Sequence, residues 1–183
     1  KVGADIIDVG GESTRPGSKA ISAKVEWNRI EKTIRKINKT IPLSLDTRKS
    51  EIMNKGIKKA TGDVIGILNS DDIYYPDALR IINNYFSSDE KLDFLFGSVY
   101  KHKLMHGYYP NKIKWTFGFY TTHSVGFFIK SEAQKKIGLY DTQYNYSADY
   151  DLFYRMIVKF KLNGIATKKN EILGIFRTGG LSS

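Results

Sequence analysis

The sequence predicts an α/β fold in which a parallel sheet with flanking helices continues into a mixed α+β region. Up to residue 86, short apolar runs that end in turn-forming residues alternate with amphipathic segments, as expected of parallel strands joined by helical crossovers. After residue 86 the alternation becomes irregular, and residues 101–120 are aromatic without a clear period. A chain of 183 residues with 41% hydrophobic side chains is long enough for one compact domain with its own core.

The regular part supplies three strands and three helices. Ala4–Val9 is an apolar run followed by two glycines, which indicates a buried strand that enters a turn. Between residues 27 and 37, large apolar side chains recur at spacings of three and four, which marks one face of a helix. The remaining strands are predicted at Leu43–Leu45 and Asp63–Leu68, and the remaining helices at residues 50–60 and 76–86.

The second half is predicted to mix strands with short helices. Ser131 and Gln134 form a capping-box pattern, and Gly138 would end the short helix that they begin. The other elements expected here are strands at Leu92–Tyr100, Val125–Ile129 and Glu171–Arg177, a loop with room for one hairpin at Lys101–Tyr120, and a helix at Tyr150–Phe160.

Composition limits the kinds of function. The chain has no cysteine, which excludes disulfides, thiolate metal sites and cysteine nucleophiles and fits a cytoplasmic location. No apolar run is long enough to span a membrane. The net charge of +10 is spread over both halves without a concentrated basic block. Nucleic acid is therefore not an expected partner, and contact with a membrane surface is expected to be peripheral at most.

Residues 3–17, GADIIDVGGESTRPG, and residues 41–51, IPLSLDTRKSE, form the first candidate site. Each string places polar side chains after a short strand, at the sheet edge where parallel α/β folds bind ligands. Arg15 can present a planar fork to a phosphate or carboxylate, and Asp46 can accept hydrogen bonds from a ring nitrogen and an exocyclic amine. The strings resemble dihydropteroate synthase, a pterin-binding family. The resemblance implies that Thr14 and Arg15 contact the diphosphate and p-aminobenzoate side, and that Asp46 binds the pterin.

This resemblance covers only two strands of an eight-stranded barrel, which cannot close with two strand–helix units. The alternative is that these residues now serve only as a strand–turn–helix module.

Residues 53–72, MNKGIKKATGDVIGILNSDD, form the second candidate site together with SADYDLFYR at 147–155 and FRTGGLS at 176–182. Adjacent aspartates after a strand are turn formers in many proteins, but they can also hold a divalent cation that offsets the charge of a diphosphate. The three segments resemble a family-2, GT-A-type glycosyltransferase, with a partial Rossmann-like sheet.

The resemblance implies a role for each matching polar residue. Asp71 would be the first contact of Mn²⁺ or Mg²⁺ and Asp72 the next, and Asp149 would be the general base. His123 would line the acceptor site, and Arg177 would contact donor phosphates.

The residues themselves leave alternatives open. Asp149 could simply stabilise the start of its helix, and His123 could be a buried structural histidine. Asp151 lies about 200° further round the same helix and is one turn from Arg155, so a structural ion pair is expected there. His102 and His106 are spaced as metal ligands on a helix, although their segment does not look helical. The aromatic stretch Tyr108–Tyr120 could form core or a lid over the acceptor.

The sequence is thus interpreted as two pieces that meet near Met53. Residues 1–52 would be a dihydropteroate-synthase-like βαβ fragment, and residues 53–183 the C-terminal part of a GT-A domain. The favoured function is inverting transfer of a sugar from a nucleotide-diphosphate donor to a hydroxyl of a saccharide or lipid-linked acceptor. Donor affinity is expected to be poor because the strand that holds the nucleobase is missing, and the chain is expected to be an internal piece of something longer.

Two other functions stay open, namely a dihydropteroate synthase fragment and a non-catalytic recombinant fragment, so enzyme status is not decided by the sequence. The chain is expected in the cytoplasm, either free or bound to the inner face of the membrane.

Overall fold

The computed structural model describes residues 7–8, 43–44, 49–69, 72–116, 118–122, 124–144 and 147–176. Within these ranges the strands are β1 (Ile7–Asp8), β2 (Leu43–Ser44), β3 (Val64–Gly66), β4 (Ile73–Tyr74), β5 (Phe94–Phe96), β6 (Ser98–Tyr100), β7 (Leu104–Met105), β8 (Phe127–Lys130), β9 (Gly164–Ala166) and β10 (Ile172–Ile175). The α-helices are α1 (Lys49–Lys59), α2 (Ala78–Ser88), α3 (Ser131–Ile137) and α4 (Ala148–Tyr154), and α4 continues as a π-helical turn at Arg155–Lys159. A short 3₁₀ helix occupies Pro110–Lys112.

The described strands form three sheets with mixed direction. β1 and β2 pair in parallel. One four-stranded sheet has the order β3-β8-β5-β9, in which only β5 and β9 are parallel neighbours. The other has the order β4-β10-β6-β7, in which only β10 and β6 are parallel. The predicted α/β class, with a parallel component that passes into a mixed region, is confirmed.

Two apolar clusters hold the sheets and helices together. In the smaller cluster, one face of α2 packs against the sheets. The buried residues of this face are spaced four apart, at Ala78, Ile82 and Phe86. The larger cluster is aromatic, and the rings of Phe96 and Phe127 lie 5.5 and 5.0 Å from that of Phe153 on α4. Burial of such large apolar side chains is the main source of stability in a core of this kind.

Helix α1 is docked on the larger cluster. Met53 and Ile57, one turn apart, pack against it. Between them in sequence, Asn54 is buried and donates from Nδ2 to the carbonyl oxygen of Tyr140 at 2.8 Å. Its Oδ1 accepts the backbone N–H of Tyr140 at the same distance. A helix that runs through Met53 is therefore fixed to the body of the protein by both apolar and polar contacts.

Several predicted elements differ in detail from the observed ones. The single strand predicted at Leu92–Tyr100 is observed as two strands in different sheets. The strand is interrupted at Gly97, whose N–H donates to the carbonyl oxygen of Gly126 at 2.7 Å. The predicted loop at Lys101–Tyr120 contains β7, which forms an antiparallel hairpin with β6 directly before the loop. The predicted last helix begins two residues earlier, at Ala148, and changes to π geometry at Arg155.

The capping-box prediction for the short helix is wrong. Helix α3 begins at Ser131 itself, whose hydroxyl donates to the carbonyl of Gly62, so it is not available to cap the helix. Gln134 instead donates to the carbonyl of Gly138 at 2.7 Å. Gly138 does end the helix as predicted, with a φ of 81° that favours glycine.

Candidate active site

Two candidate carboxylates are bound to opposite ends of one short segment. Tyr120 donates from its hydroxyl to Oδ2 of Asp149 at 3.3 Å. Ser124 donates from Oγ to Oδ2 of Asp72 at 2.5 Å. Four peptide steps span at most about 14 Å. Asp72 and Asp149, far apart in sequence, therefore contact side chains that are close neighbours along the chain.

Asp72 is a buried carboxylate that follows β3 in the chain. Its N–H donates to the carbonyl of Asn69 at 3.0 Å, and the Asn69 side chain donates to Oδ2 at 3.3 Å. With the Ser124 contact, these hydrogen bonds offset the cost of taking the carboxylate out of water. The environment also affects Tyr74, whose pKa is raised above its ordinary value first by burial and then by the Asp72 charge. Asp72 thus joins Asn69 to Ser124, and its contact with a metal stays a prediction.

Asp149 lies in the first turn of α4 and is partly exposed. Its Oδ1 accepts the N–H of Tyr150 at 2.8 Å, and its Oδ2 accepts the hydroxyl of Tyr120. A negative charge at this end of a helix is favourable, so the stabilising role considered from the sequence also fits the position. The two hydrogen bonds in addition fix the direction of both carboxylate oxygens, as a general base requires.

Two tyrosines near Asp149, the partly buried Tyr120 and the buried Tyr140, stay protonated. The pKa of Tyr120 is raised by burial and then by the nearby Asp149 carboxylate. Tyr140 is fully buried, and its pKa lies well above the ordinary value because of burial, then Asp149 and Tyr120, while Arg155 acts in the opposite direction. A protonated phenol is a hydrogen-bond donor, so Tyr120 keeps its donor role over the whole neutral range.

Arg155 is a structural residue, as predicted. Its guanidinium pairs with Asp151 at 2.7 Å across one helical turn. It also donates to the carbonyl oxygens of Ile137 and Leu139 at 2.6 and 2.8 Å, which ties α4 to the end of α3. The expectation that Asp149 and Asp151 face different surroundings is confirmed, because Asp151 belongs to this ion pair and Asp149 to the tyrosine cluster.

The aromatic stretch is divided between core and surface. Tyr108 and Tyr120 pack within 5.4 Å of the Phe96 ring, so these two belong to the core and not to a lid. Tyr109 and Trp115 are 48% and 73% exposed.

His106 bonds through Nδ1 to Ser98 at 2.9 Å. In the ranges that the structure describes, no three His, Cys, Asp or Glu side chains are grouped closely enough to hold a metal ion.

Six of the predicted site residues lie outside the described residues. They are Thr14, Arg15 and Asp46 of the pterin-type motif, and Asp71, His123 and Arg177 of the glycosyltransferase-type motifs. Their roles therefore stay predictions. Of the residues that the sequence did not single out, Ser124 carries the contact with Asp72. The available signal was a hydroxyl directly before the predicted apolar strand Val125–Ile129, which is a weak signal.

The N-terminal part of the chain matches a pterin-binding family. The profile of the family described as "Pterin binding enzyme" matches residues 1–85. Dihydropteroate synthase from Neisseria meningitidis serogroup C is 44% identical over 66 residues, which are 36% of this chain and 23% of that protein. The enzyme from Bacillus subtilis strain 168 is 43% identical over 58 residues, 31% of this chain and 20% of that one. The chain spans less than a quarter of the length of these relatives.

The structure is similar to glycosyltransferases. TarS residues 1–349 from S. aureus, in complex with UDP, superposes with a TM-score of 0.60 at 12% identity, over 82% of this chain and 46% of that one. The mannosyltransferase PcManGT from Pyrobaculum calidifontis, with GDP-Man and Mn²⁺, gives 0.53 at 15% identity, over 86% and 45%. The fold is of the GT-A type. The chain spans less than half of these structures, and the predicted double resemblance, pterin-binding in sequence and GT-A in fold, is confirmed.

Proposed function

We propose that this protein transfers a sugar from a nucleotide-diphosphate donor to an acceptor hydroxyl, with inversion at the anomeric carbon. The supporting observation is that Asp72 and Asp149 are bound to the two ends of residues 120–124 in a GT-A-type fold. Solved structures with this fold hold UDP, UDP-GlcNAc or GDP-Man. A nucleotide-sugar is therefore the donor class that we infer for this chain.

Asp149 is the proposed general base. In an inverting displacement, a carboxylate takes the proton of the acceptor hydroxyl while the hydroxyl oxygen attacks the anomeric carbon and the nucleoside diphosphate leaves. The partly exposed Asp149 has the required acceptor atoms, and Tyr120 and the N–H of Tyr150 hold them in place. His123 is proposed to line the acceptor site beside the same segment.

Asp71 and Asp72 are the residues that would hold Mn²⁺ or Mg²⁺. Carboxylate oxygens suit these hard cations, and Ser124 and Asn69 fix the orientation of the Asp72 carboxylate. The cation would compensate the charge that collects on the leaving diphosphate. The mannosyltransferase neighbour contains Mn²⁺ together with GDP-Man. Arg177 is proposed to contact the donor phosphates.

The acceptor is proposed to be a saccharide or a lipid-linked saccharide, used in the cytoplasm or at the inner face of the membrane. None of the helices in the described ranges combines the length and apolar character that crossing a bilayer requires.

The decisive experiment is thermal denaturation with UDP or GDP, with and without Mn²⁺. A ligand at a hundred times its Kd stabilises the folded state by about 2.7 kcal/mol, which raises Tm by roughly 5–10 °C in a protein of this size. We expect a cation-dependent increase that Asp71→Ala abolishes. Asp149→Asn should keep the increase but lose sugar transfer, measured as release of the nucleoside diphosphate.

Asp77→Asn is a suitable control, because this carboxylate is 68% exposed and pairs only with Arg80 at the surface in the contacts seen here. It should change neither binding nor transfer. If neither nucleotide raises Tm in the presence of Mn²⁺, the proposed donor site does not exist.

The family match favours a second candidate, a dihydropteroate synthase fragment that retains part of the pterin site. Thr14, Arg15 and Asp46 would then bind a pterin diphosphate. Stabilisation by this ligand, lost in Asp46→Ala, would favour that function over sugar transfer. Stabilisation by neither class of ligand would identify the chain as a non-catalytic recombinant fragment.

A further inference from the structure

One long stretch of the chain has a one-sided charge. Residues 94–131 contain five lysines and no Asp or Glu. This stretch also carries the most exposed tryptophan of the described residues, Trp115, at 73%. Tryptophan is a residue that folding normally buries to a large extent. A strongly exposed tryptophan in a segment that contains lysines but no acidic residues therefore indicates a binding surface.

The segment around Trp115 is an ordered loop, which we name the Trp115 loop (residues 109–116). Its base is closed by a hydrogen bond from the N–H of Tyr109 to the carbonyl of Phe119 at 2.6 Å. Ile113 is buried in the larger apolar cluster, and its carbonyl accepts the Tyr150 hydroxyl at 2.5 Å. The N–H of Trp115 donates to the carbonyl of Lys112 at 3.1 Å. Trp115 is thus exposed on a loop whose base is held by a hydrogen bond and whose centre is held by the burial of Ile113.

The exposed face of this loop combines aromatic rings with positive charges. Lys112 and Lys114 flank Trp115 and are both exposed. The Nζ of Lys112 lies 4.4 Å from the ring centre of Tyr109, which is itself 48% exposed. Tryptophan and tyrosine favour the interface between water and a bilayer, where the ring is partly buried and its polar atom stays hydrated. Lysines beside them are attracted by anionic headgroups.

We propose that the Trp115 loop docks on the surface of a bilayer that contains anionic lipids. Trp115 enters the interface, and Lys112 and Lys114 contact the headgroup phosphates. The loop is also joined to the candidate site, because Tyr150 binds Ile113 and is the neighbour of Asp149. Docking would therefore bring Asp149 close to the membrane surface. The docking itself does not depend on the proposed sugar transfer.

The test is co-sedimentation of the full chain with vesicles of phosphatidylcholine alone or with added phosphatidylserine. We expect binding only to the anionic vesicles, and weaker binding as salt is raised. Lys112→Gln with Lys114→Gln should weaken the partition roughly 30-fold, since each lysine near such a surface contributes about 1 kcal/mol. Trp115→Ala should also weaken it, and in a Trp27→Phe protein the emission of Trp115 should shift to shorter wavelength on binding.

The matched control is Lys135→Gln with Lys136→Gln, a pair of exposed lysines on α3. This pair removes the same charge from a different surface and should leave binding nearly unchanged. Three results would overturn the proposal: no binding to anionic vesicles, equal loss in the control, or an emission of Trp115 that does not respond to lipid. Vesicle binding needs no nucleotide or cation, so its failure is distinguishable from failure of the donor site.

Discussion

Replacement of Asn54 by alanine should destabilise the protein strongly, because this side chain fixes helix α1 to the core. Asn54 is 9% exposed and makes two hydrogen bonds of 2.8 Å to the backbone of Tyr140, which is 3% exposed. Alanine cannot make either bond. The N–H and C=O of Tyr140 would then lose the partners that Asn54 supplies, in a place that water reaches poorly.

The size of the effect follows from these contacts. Loss of one partner of a buried hydrogen bond costs about 1–3 kcal/mol. Two such losses therefore cost roughly 1.5–5.5 kcal/mol once the better helix propensity of alanine, about 0.5 kcal/mol, is subtracted. A central value of about 3 kcal/mol would lower Tm by roughly 6–12 °C for a chain of this length. It is also a large share of the stability of an ordinary domain.

Urea denaturation followed by circular dichroism is the appropriate assay, with the free energy of unfolding obtained by linear extrapolation. Asn84→Ala is the control, since Asn84 is exposed on α2 and its replacement offers the same gain in helix propensity without a buried partner. If Asn54→Ala unfolds within about 0.5 kcal/mol of this control, α1 is not docked as described. The continuity of the fold through Met53 would then be refuted.

Two further predictions follow from close packing and from buried phenols. Gly174→Ala should destabilise the fold by about 3 kcal/mol or more, because a Cβ there would lie 2.1 Å from the carbonyl oxygen of Ile73 in the neighbouring strand. Gly118→Ala is the control and should be nearly neutral, since the nearest contact of its Cβ would be at 3.5 Å. Thermal denaturation of both variants checks this prediction. Raised pKa values mean that the folded state keeps phenolic protons which the unfolded state releases above about pH 10. Stability should therefore be unaffected below that pH and fall above it, by up to about 1.4 kcal/mol per pH unit for each such group. Phenolate absorbance should show these groups ionising only as the protein unfolds, and ionisation of every tyrosine in the folded state would contradict the assignment. The groups concerned are Tyr74, Tyr108, Tyr120 and Tyr140.

The helices were predictable because their patterns are local. On α2 the buried positions Ala78, Ile82 and Phe86 recur every four residues, and this periodicity is visible in the sequence alone. The ion pair between Asp151 and Arg155 follows from the same geometry. In contrast, the break between β5 and β6 depends on the contact of Gly97 with Gly126, 29 positions away. Locally, only Gly97 and the polar Ser98 interrupt the apolar run, and this pattern suggests an irregular strand but not a change of sheet.

The candidate site shows the same division. The position of Asp149 at the start of a helix could be predicted from the motif around it. Its orientation could not, because the hydrogen bond to Tyr120 joins residues that are 29 positions apart. The bond between Ser124 and Asp72 spans 52 positions. Such contacts are set by the packing of whole strands and helices, so a sequence pattern identifies the carboxylates but not their partners.

Residues 49–85 match a pterin-binding family in sequence, but they are part of a fold that is similar to that of glycosyltransferases. The pterin-binding match runs to residue 85 and so includes α1, β3 and most of α2. Yet α2 packs against Leu95 and Leu173, which lie beyond that match, and α1 binds Tyr140. A strand–helix unit requires an apolar face of the correct period and turns of the correct length, and unrelated α/β families share these requirements.

A join inside such a unit therefore need not leave a structural boundary. Helix α1 runs from Lys49 to Lys59 without interruption, through the predicted join at Met53. Two of its apolar side chains, Met53 and Ile57, pack against the same cluster. Both residues lie on the C-terminal side of the predicted join, as does Asn54. The contacts of α1 with the larger cluster and with Tyr140 thus lie on the C-terminal side of the predicted join, while Ile52, just before it, is partly buried as well. A predicted join inside one continuous helix is therefore compatible both with the N-terminal match to a pterin-binding family and with a GT-A-type fold.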